Sequence, residues 1–150
     1  MVIFFAIVGL CAFGFVRWYQ KEKWKSVAAF SDAMRNLNEQ HGTAFPTSGF
    51  ATELILSDGS YGQNSLIFDS KTKKVCIAVG RRGQFFCKVV DRSFFRSWST
   101  GVEWVGLKKE RSRFYIDFFV NDLSSPRLRI GCRNLQHMEE WSARLGLLLR

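Results

Sequence analysis

The sequence predicts an α+β protein with one N-terminal transmembrane helix, a helical stalk, and an antiparallel β-barrel or sandwich closed by a C-terminal amphipathic helix. An uncharged apolar run fills residues 2–16, and all 35 charged residues (22 basic and 13 acidic) follow it, starting at Arg17. Short strand-like segments separated by turn residues occupy residues 53–132. An apolar stripe at helical spacing ends the chain, formed by Leu135, Met138, Trp141, Leu145 and Leu148.

The apolar run is short for a membrane span, but its flanks extend it. Its 15 residues cover ~23 Å as a helix, against a hydrocarbon core of ~30 Å. Met1 and the interfacial pair Trp18 and Tyr19 lengthen the segment, since Arg17 can snorkel. A cleaved signal peptide would need a basic segment before the run and small residues at its end, and a lipoprotein site at Cys11 is disfavoured by the bulky leucine before it. We predict an uncleaved anchor over residues 1–19.

Orientation follows from the charges beside the anchor. Four basic residues crowd its C-terminal side: Arg17, Lys21, Lys23 and Lys25. The positive-inside rule then predicts a single-pass protein of the inner (plasma) membrane, with the N-terminus outside and the C-terminal domain in the cytoplasm. The three cysteines of that domain agree, because their odd number and wide spacing fit neither a disulfide framework nor a zinc site. They are Cys76, Cys87 and Cys132.

A helical stalk is predicted for residues 20–42. Apolar residues recur there at three- and four-residue spacing, and Gly42 is a natural stop. They are Trp24, Val27, Phe30, Met34 and Leu37. One interpretation is a short coil that forms a weak homo-oligomer; the other is packing on the protein's own domain or on the membrane surface. Two heptads are too few for a stable coiled coil, which favours packing. Residues 43–150 then form the globular domain.

Several short strands are predicted within this domain. The segments 74–79 and 84–90 form a hairpin across the glycine-containing turn 80–83. Residues 127–132 alternate basic and apolar side chains, typical of a strand with one wet face. Asn134 is the predicted cap of the final helix. The remaining predicted strands are residues 53–57, 65–68, 92–98, 103–107 and 113–120.

The order of six or seven strands followed by one helix resembles pleckstrin-homology-like (PH-like) barrels. In those barrels a tryptophan of the closing helix covers one open end, and Trp141 lies near the middle of the final helix. The segments LIFDSKTKKVCIA, FFRSW and RIGCRNLQHMEEWSARL are also similar to small bacterial membrane-tethered families of unknown function with PH-like domains. The resemblance covers residues 53–149. It implies a PH-like fold and carries no catalytic residues.

Enzyme signatures are missing from the sequence. It contains no GxSxG, GxxxxGK[ST], GxGxxG or HExxH motif. The only histidines are His41 and His137, and nothing near them in sequence supports a nucleophile or a metal site. We therefore predict a protein that is not an enzyme and that has no catalytic residues, metal or other cofactor.

Basic residues are concentrated between residues 71 and 113. This segment holds 12 lysines or arginines against three acidic residues, and many fall in predicted turns. If these turns share one rim of a barrel beside a bilayer, each basic residue there contributes about 1 kcal/mol of attraction to anionic headgroups. The residues predicted to contact lipid or a partner are Lys71, Lys73, Lys74, Arg81, Arg82, Lys108, Lys109 and Arg111.

The function predicted from these features is a non-enzymatic, membrane-tethered interaction module that docks on or modulates a membrane-protein complex, for example as an exclusion or inhibitor factor. Tethering raises effective concentration, so a weak contact can suffice. The alternative is a sensor domain that binds anionic lipid at the inner leaflet. A nucleic-acid surface is disfavoured, because the aromatic residues lie at strand spacing and are needed for the core.

Overall fold

A computed structural model describes residues 27–48, 53–57, 64–81, 84–106 and 111–150 of the chain. The predicted anchor over residues 1–19 and the first part of the predicted stalk lie outside these residues. Within the described part, none of the helices is both long and apolar enough to cross a membrane.

Seven strands form two antiparallel sheets in the described part of the chain, followed by a C-terminal helix, which confirms the α+β prediction. Both sheets are meanders, so strands adjacent in sequence are adjacent in space. The first sheet contains β1 (Ile55–Ser57), β2 (Asn64–Phe68), β3 (Lys74–Arg81) and β4 (Gln84–Asp91). The second contains β5 (Phe95–Val105), β6 (Arg111–Val120) and β7 (Arg127–Cys132). Helix α1 covers residues 27–41, and helix α2 covers Leu135–Leu148.

The main core lies between the two sheets and under α2. Trp141 of α2 is 1% exposed and stacks on Phe68 of β2, with ring centroids 6.0 Å apart. The predicted cap is also present, since Asn134 accepts a hydrogen bond from the backbone N–H of His137 at 2.8 Å. The buried members of this core are Leu56, Leu66, Phe68, Val75, Phe95, Ile116, Phe118, Val120, Ile130, Met138, Trp141 and Leu145.

Helix α1 packs on the opposite face of the first sheet. Strand β2 is buried on both faces, so Leu66 and Phe68 enter the main core while Ile67 faces α1. Phe30 and Met34 of α1 contact this side, and Met34 is completely buried. Of the two interpretations of the helical segment, these contacts match packing on the protein's own domain. The apolar side that a coil would use is occupied by the sheet.

Asp69 joins three parts of the fold at the turn between β2 and β3. Its buried carboxylate accepts hydrogen bonds from the backbone N–H of Ala44 at 3.1 Å, from that of Lys71 at 2.7 Å, and from the Thr72 hydroxyl. Arg92 donates to the backbone oxygens of Asp69 and Thr72 at 3.3 and 3.2 Å. The chain after α1, the β2–β3 turn and the segment between β4 and β5 are therefore held together.

The prediction of two strands over residues 92–98 and 103–107 was wrong. The structure has a 3₁₀ turn at Arg92–Phe94 followed by one 11-residue strand, β5. Gly101 resembles a turn residue in the sequence, yet it lies in mid-strand opposite Tyr115. A side chain at position 101 would overlap the Tyr115 ring, which accounts for the glycine.

Candidate docking cleft between the β4 and β5 edges

The two sheets part where the chain passes from one to the other. Strand β4 is the last strand of the first sheet and β5 is the first of the second, and the two are not hydrogen-bonded to each other. Each therefore has one side with no strand partner among the described residues. We call these two edges, with the core-facing side chains that they carry, the β4–β5 cleft.

Strand register shows which side chains face this cleft. Val90 of β4 and Trp98 of β5 pack against the main core. Because side chains alternate between the faces of a strand, Phe86 lies on the same side of β4 as Val90. Val102 and Trp104 likewise lie on the same side of β5 as Trp98, since the register is regular from Ser97 to Val105.

These three core-facing side chains are exposed toward the free ends of the strands. Phe86 is 60% exposed, Val102 42% and Trp104 61%. Their positions continue the apolar side of each strand beyond the point where the opposite sheet covers it. Exposed apolar residues grouped along a sheet edge are typical of a binding surface, whereas single scattered ones are ordinary.

Aromatic rings contact one another at the connection between β4 and β5. Phe94 and Phe95 meet edge to face with ring centroids 5.7 Å apart, and Phe95 meets Phe118 in the same way. The Lys88 ammonium lies 5.1 Å from the centre of the Phe94 ring and 3.8 Å from the Asp122 carboxylate. Aromatic side chains thus pack at the point where the chain passes from β4 to β5.

A network of side chains on the outer face of the second sheet connects β6 and β7 to β5. The Tyr115 ring lies over Gly101 of β5, and the Arg129 guanidinium stacks on that ring, 3.6 Å from its centre. Arg129 also donates two hydrogen bonds to Asp117, which raise the pKa of the guanidinium further above its usual value. Its Nη1 lies 3.9 Å from the Glu103 carboxylate, which connects this network to β5.

Among the basic residues predicted to share one rim, the structure separates the lysines before β3 from Arg81 at its other end. Lys71 and Lys73 lie in the β2–β3 turn and Lys74 begins β3. Arg81 ends β3 seven positions after Lys74, which corresponds to ~23 Å of extended chain. Arg111 opens β6. The other predicted contacts, Arg82, Lys108 and Lys109 and the juxtamembrane Arg17, Lys21, Lys23 and Lys25, lie outside the described residues.

Two thiols meet beneath α1. Cys76 of β3 is buried, and Cys87 of β4 packs beside it. The hydrogen bond between them, together with burial, raises the pKa of Cys76, and the same bond lowers the pKa of Cys87. Among the described residues no group of three or more His, Cys, Asp or Glu side chains is arranged to hold a metal ion.

A shallow recess of about 240 Å³ lies at the start of α2, lined by Arg133, Asn134, Gln136, His137 and Glu140. Partial burial and the nearby Arg133 lower the pKa of His137. The recess is open and polar, and the backbone N–H of His137 is already bonded to Asn134.

Sequence reasoning missed the exposed aromatic residues of the cleft. The aromatic-rich segments were assigned to the core, and the alternation of Trp98, Val102 and Trp104 does place them on one side of a strand. No sequence signal shows that the opposite sheet leaves them uncovered, because the 11-residue length of β5 is known only from the structure.

Comparison with known proteins found no matching family model, no matching curated protein and no matching solved structure.

Proposed function

We propose that this protein is a non-enzymatic, membrane-tethered interaction module that docks on a membrane-protein complex through the β4–β5 cleft. The observation that carries the proposal is the exposure of Phe86, Val102 and Trp104 on the core-facing sides of β4 and β5, each of which has a strand partner on one side only among the described residues. Aromatic residues are enriched among those that dominate binding energy at protein interfaces. Exclusion or inhibition of a larger complex is one form that such docking takes.

A PH-like identity of the domain is part of the proposal. Four strands, then three strands, then a helix whose buried tryptophan covers the core is the arrangement expected of that fold. The anchor over residues 1–19 is proposed from its uncharged sequence and its basic flank. Such an anchor would hold the cleft near the bilayer, where membrane proteins present their juxtamembrane segments.

Protein docking is favoured over reading of anionic lipid by the placement of the basic residues. A lipid-binding rim needs its cations within about a Debye length of one surface, ~8 Å at physiological salt. Lys74 and Arg81 lie at opposite ends of β3, so these residues do not form one compact patch. By contrast, Val90 and Trp98 pack against the domain core on the same sides of β4 and β5 that carry Phe86 and Trp104.

Photo-crosslinking in native membranes tests this function. Benzoylphenylalanine would replace Trp104 or Phe86 in the full-length protein, with Leu123 and Leu147 as control positions, because both are also exposed large hydrophobic residues. The proposal expects one and the same membrane protein to be crosslinked from positions 86 and 104, with little from 123 and 147.

Two results would reject the proposal. Equal crosslinking from all four positions would mean that the cleft has no particular role. Crosslinking to lipid alone from position 104, lost at high salt, would instead favour the lipid-sensor alternative.

A further inference from the structure

We propose that Cys76 and Cys87 form a reversible redox pair, in which hydrogen peroxide oxidises Cys87 and Cys76 then closes a disulfide with it. The two thiols lie under α1, on the face of the first sheet that points away from the β4–β5 cleft. Docking at the cleft and oxidation of this pair are therefore separate properties of the protein.

Strand register places the two thiols on one face of neighbouring strands. Cys76 of β3 is opposite Val89 of β4, and Cys87 is opposite Ala78, so the two cysteines are diagonal neighbours. Diagonal neighbours are ordinarily ~7–8 Å apart, whereas a disulfide usually joins Cα atoms ~4.4–6.8 Å apart. The bond therefore needs a small approach of the two strands. A strained disulfide is easily reduced, which suits a reversible bond better than a permanent cross-link.

The surroundings of the two sulfur atoms assign their roles. Cys76 is completely buried, whereas Cys87 is only partly buried, so peroxide reaches Cys87 first. The Cys76 thiol donates a hydrogen bond to the Cys87 sulfur, which lowers the pKa of Cys87 and raises the pKa of Cys76. The thiolate is the form that reacts. Redox-sensing cysteines typically combine a low pKa and solvent access with an adjacent thiol that resolves the oxidised form.

The reaction balances with hydrogen peroxide as the only co-reactant. The Cys87 thiolate attacks one peroxide oxygen, the O–O bond breaks, and the hydroxide that leaves takes up a proton to become water. The Cys76 sulfur then attacks the sulfur of the Cys87 sulfenic acid, whose S–O bond breaks, and the hydroxide leaves with the Cys76 proton as a second water. The two thiols have then lost two electrons and two protons, and a dithiol reductant restores them.

Cys132 provides a matched comparison within the same chain. It is partly buried, as Cys87 is, but it packs against the main core from the second sheet. Burial raises its pKa to about 11, so it carries little thiolate near neutral pH. Cys132 should therefore stay reduced at peroxide doses that link Cys76 to Cys87.

Peroxide titration of the full-length protein in nanodiscs of zwitterionic phosphatidylcholine tests the pair. The protein is reduced, freed of reductant and exposed to graded hydrogen peroxide at neutral pH. Remaining thiols are blocked with N-ethylmaleimide, and peptides are identified by mass spectrometry without reduction. We expect a linked peptide pair that contains Cys76 and Cys87 and disappears with dithiothreitol, and oxidation of Cys132 at least about tenfold slower than that of Cys87. In urea, where the fold is lost, Cys87 and Cys132 should be oxidised at similar rates.

Three variants assign the roles of the thiols. Cys76→Ala should leave Cys87 as a sulfenic acid that dimedone traps, without a linked peptide. Cys87→Ala should leave Cys76 reduced at the same peroxide dose. Cys132→Ala removes a thiol of similar burial and should leave the linkage unchanged. The wild-type titration alone decides the proposal if a variant fails to fold.

Several results would overturn the proposal. Oxidation of Cys87 no faster than that of Cys132 would mean that the neighbouring thiol has no effect. Conversion of Cys87 to a sulfinic acid while Cys76 keeps its thiol would show that Cys76 does not resolve the oxidised form. A disulfide that involves Cys132 or joins two copies of the chain, or a link between Cys76 and Cys87 that forms only in urea, would also contradict it.

Discussion

Arg129 and Asp117 form a two-point pair directly across strands β6 and β7. The Nε of Arg129 lies 2.8 Å from Oδ1 of Asp117, and Nη2 lies 2.9 Å from Oδ2. Although Asp117 is on the outer face of the sheet, it is only 5% exposed, because the guanidinium covers it. This pair fixes the position of Tyr115, which in turn lies against β5.

Loss of the Arg129 guanidinium should destabilise the domain more than loss of a neighbouring charge. Arg129→Met leaves a shielded carboxylate without its two donors, so we expect the free energy of unfolding to fall by about 1–3 kcal/mol. Arg127 is only a 3.8 Å ionic neighbour of Asp117, so Arg127→Met should cost less than about 1 kcal/mol. Urea unfolding of the two variants measures the difference. Equal losses would mean that the paired geometry contributes nothing beyond charge.

Acid sensitivity should depend on Asp69. Burial raises the pKa of its carboxyl, but hydrogen bonds from Thr72, Lys71 and Ala44 outweigh burial and hold the pKa below the ordinary value of 3.8. The unfolded state therefore takes up the proton first as the pH falls. The stability that this group contributes is complete above about pH 4 and is lost as the pH falls through the folded-state pKa.

The measurement is the free energy of unfolding between pH 2 and pH 6 for the wild type and Asp69→Asn, which keeps the size of the side chain. Below about pH 4 the wild type should lose stability more steeply than the variant. Parallel curves would contradict the role given to this carboxylate.

Truncation to alanine should lower the free energy of unfolding much more at Trp141 than at Trp104. Trp141 is 1% exposed and stacks on Phe68, so Trp141→Ala should cost about 3–5 kcal/mol. Trp104 is 61% exposed, so Trp104→Ala should change stability by less than about 1 kcal/mol. Thermal or urea unfolding measures both variants. A large loss for Trp104→Ala would place this residue in the fold and remove it from the docking surface.

The three cysteines of the globular domain should react with an alkylating reagent in a fixed order. The hydrogen bond from Cys76 lowers the pKa of Cys87, whereas burial raises the pKa of Cys132 to about 11, and Cys76 is fully buried with its pKa raised. Only thiolates alkylate readily. With iodoacetamide at about pH 8 we expect Cys87 to be modified first, then Cys132, and Cys76 last, as followed by peptide mass spectrometry. Early modification of Cys76 would show that α1 opens readily.

The sequence was sufficient for those elements in which local pattern and tertiary packing agree. The strand over residues 127–132 and the helix with its Asn134 cap match the structure, because alternation and capping are local signals. The prediction of two strands in place of β5 was wrong because Gly101 makes room for the Tyr115 ring on the neighbouring strand. Single-residue propensity carries no information about a cross-strand neighbour.

The candidate site was harder to predict for a related reason. Sequence shows that Phe86 and Trp104 are core-type residues, but whether the opposite sheet reaches far enough to cover them depends on strand lengths and on the angle between the sheets. The basic residues show the reverse case. They are close in sequence, yet strand β3 separates Lys74 from Arg81 along its length. The pairing of Asp117 with Arg129 required the register of β6 and β7, which no local pattern fixes.

The most direct test of the docking cleft is affinity purification of the full-length protein from its native membrane, with quantification of the proteins that accompany it. Wild type is compared with Phe86→Ser/Trp104→Ser and with the control Leu123→Ser/Leu147→Ser, after circular dichroism has shown that all three fold. The account predicts that one membrane protein accompanies wild type and the control in stoichiometric amount and is lost from the cleft variant. Recovery of that protein with the cleft variant, or of lipid alone with wild type, would contradict it.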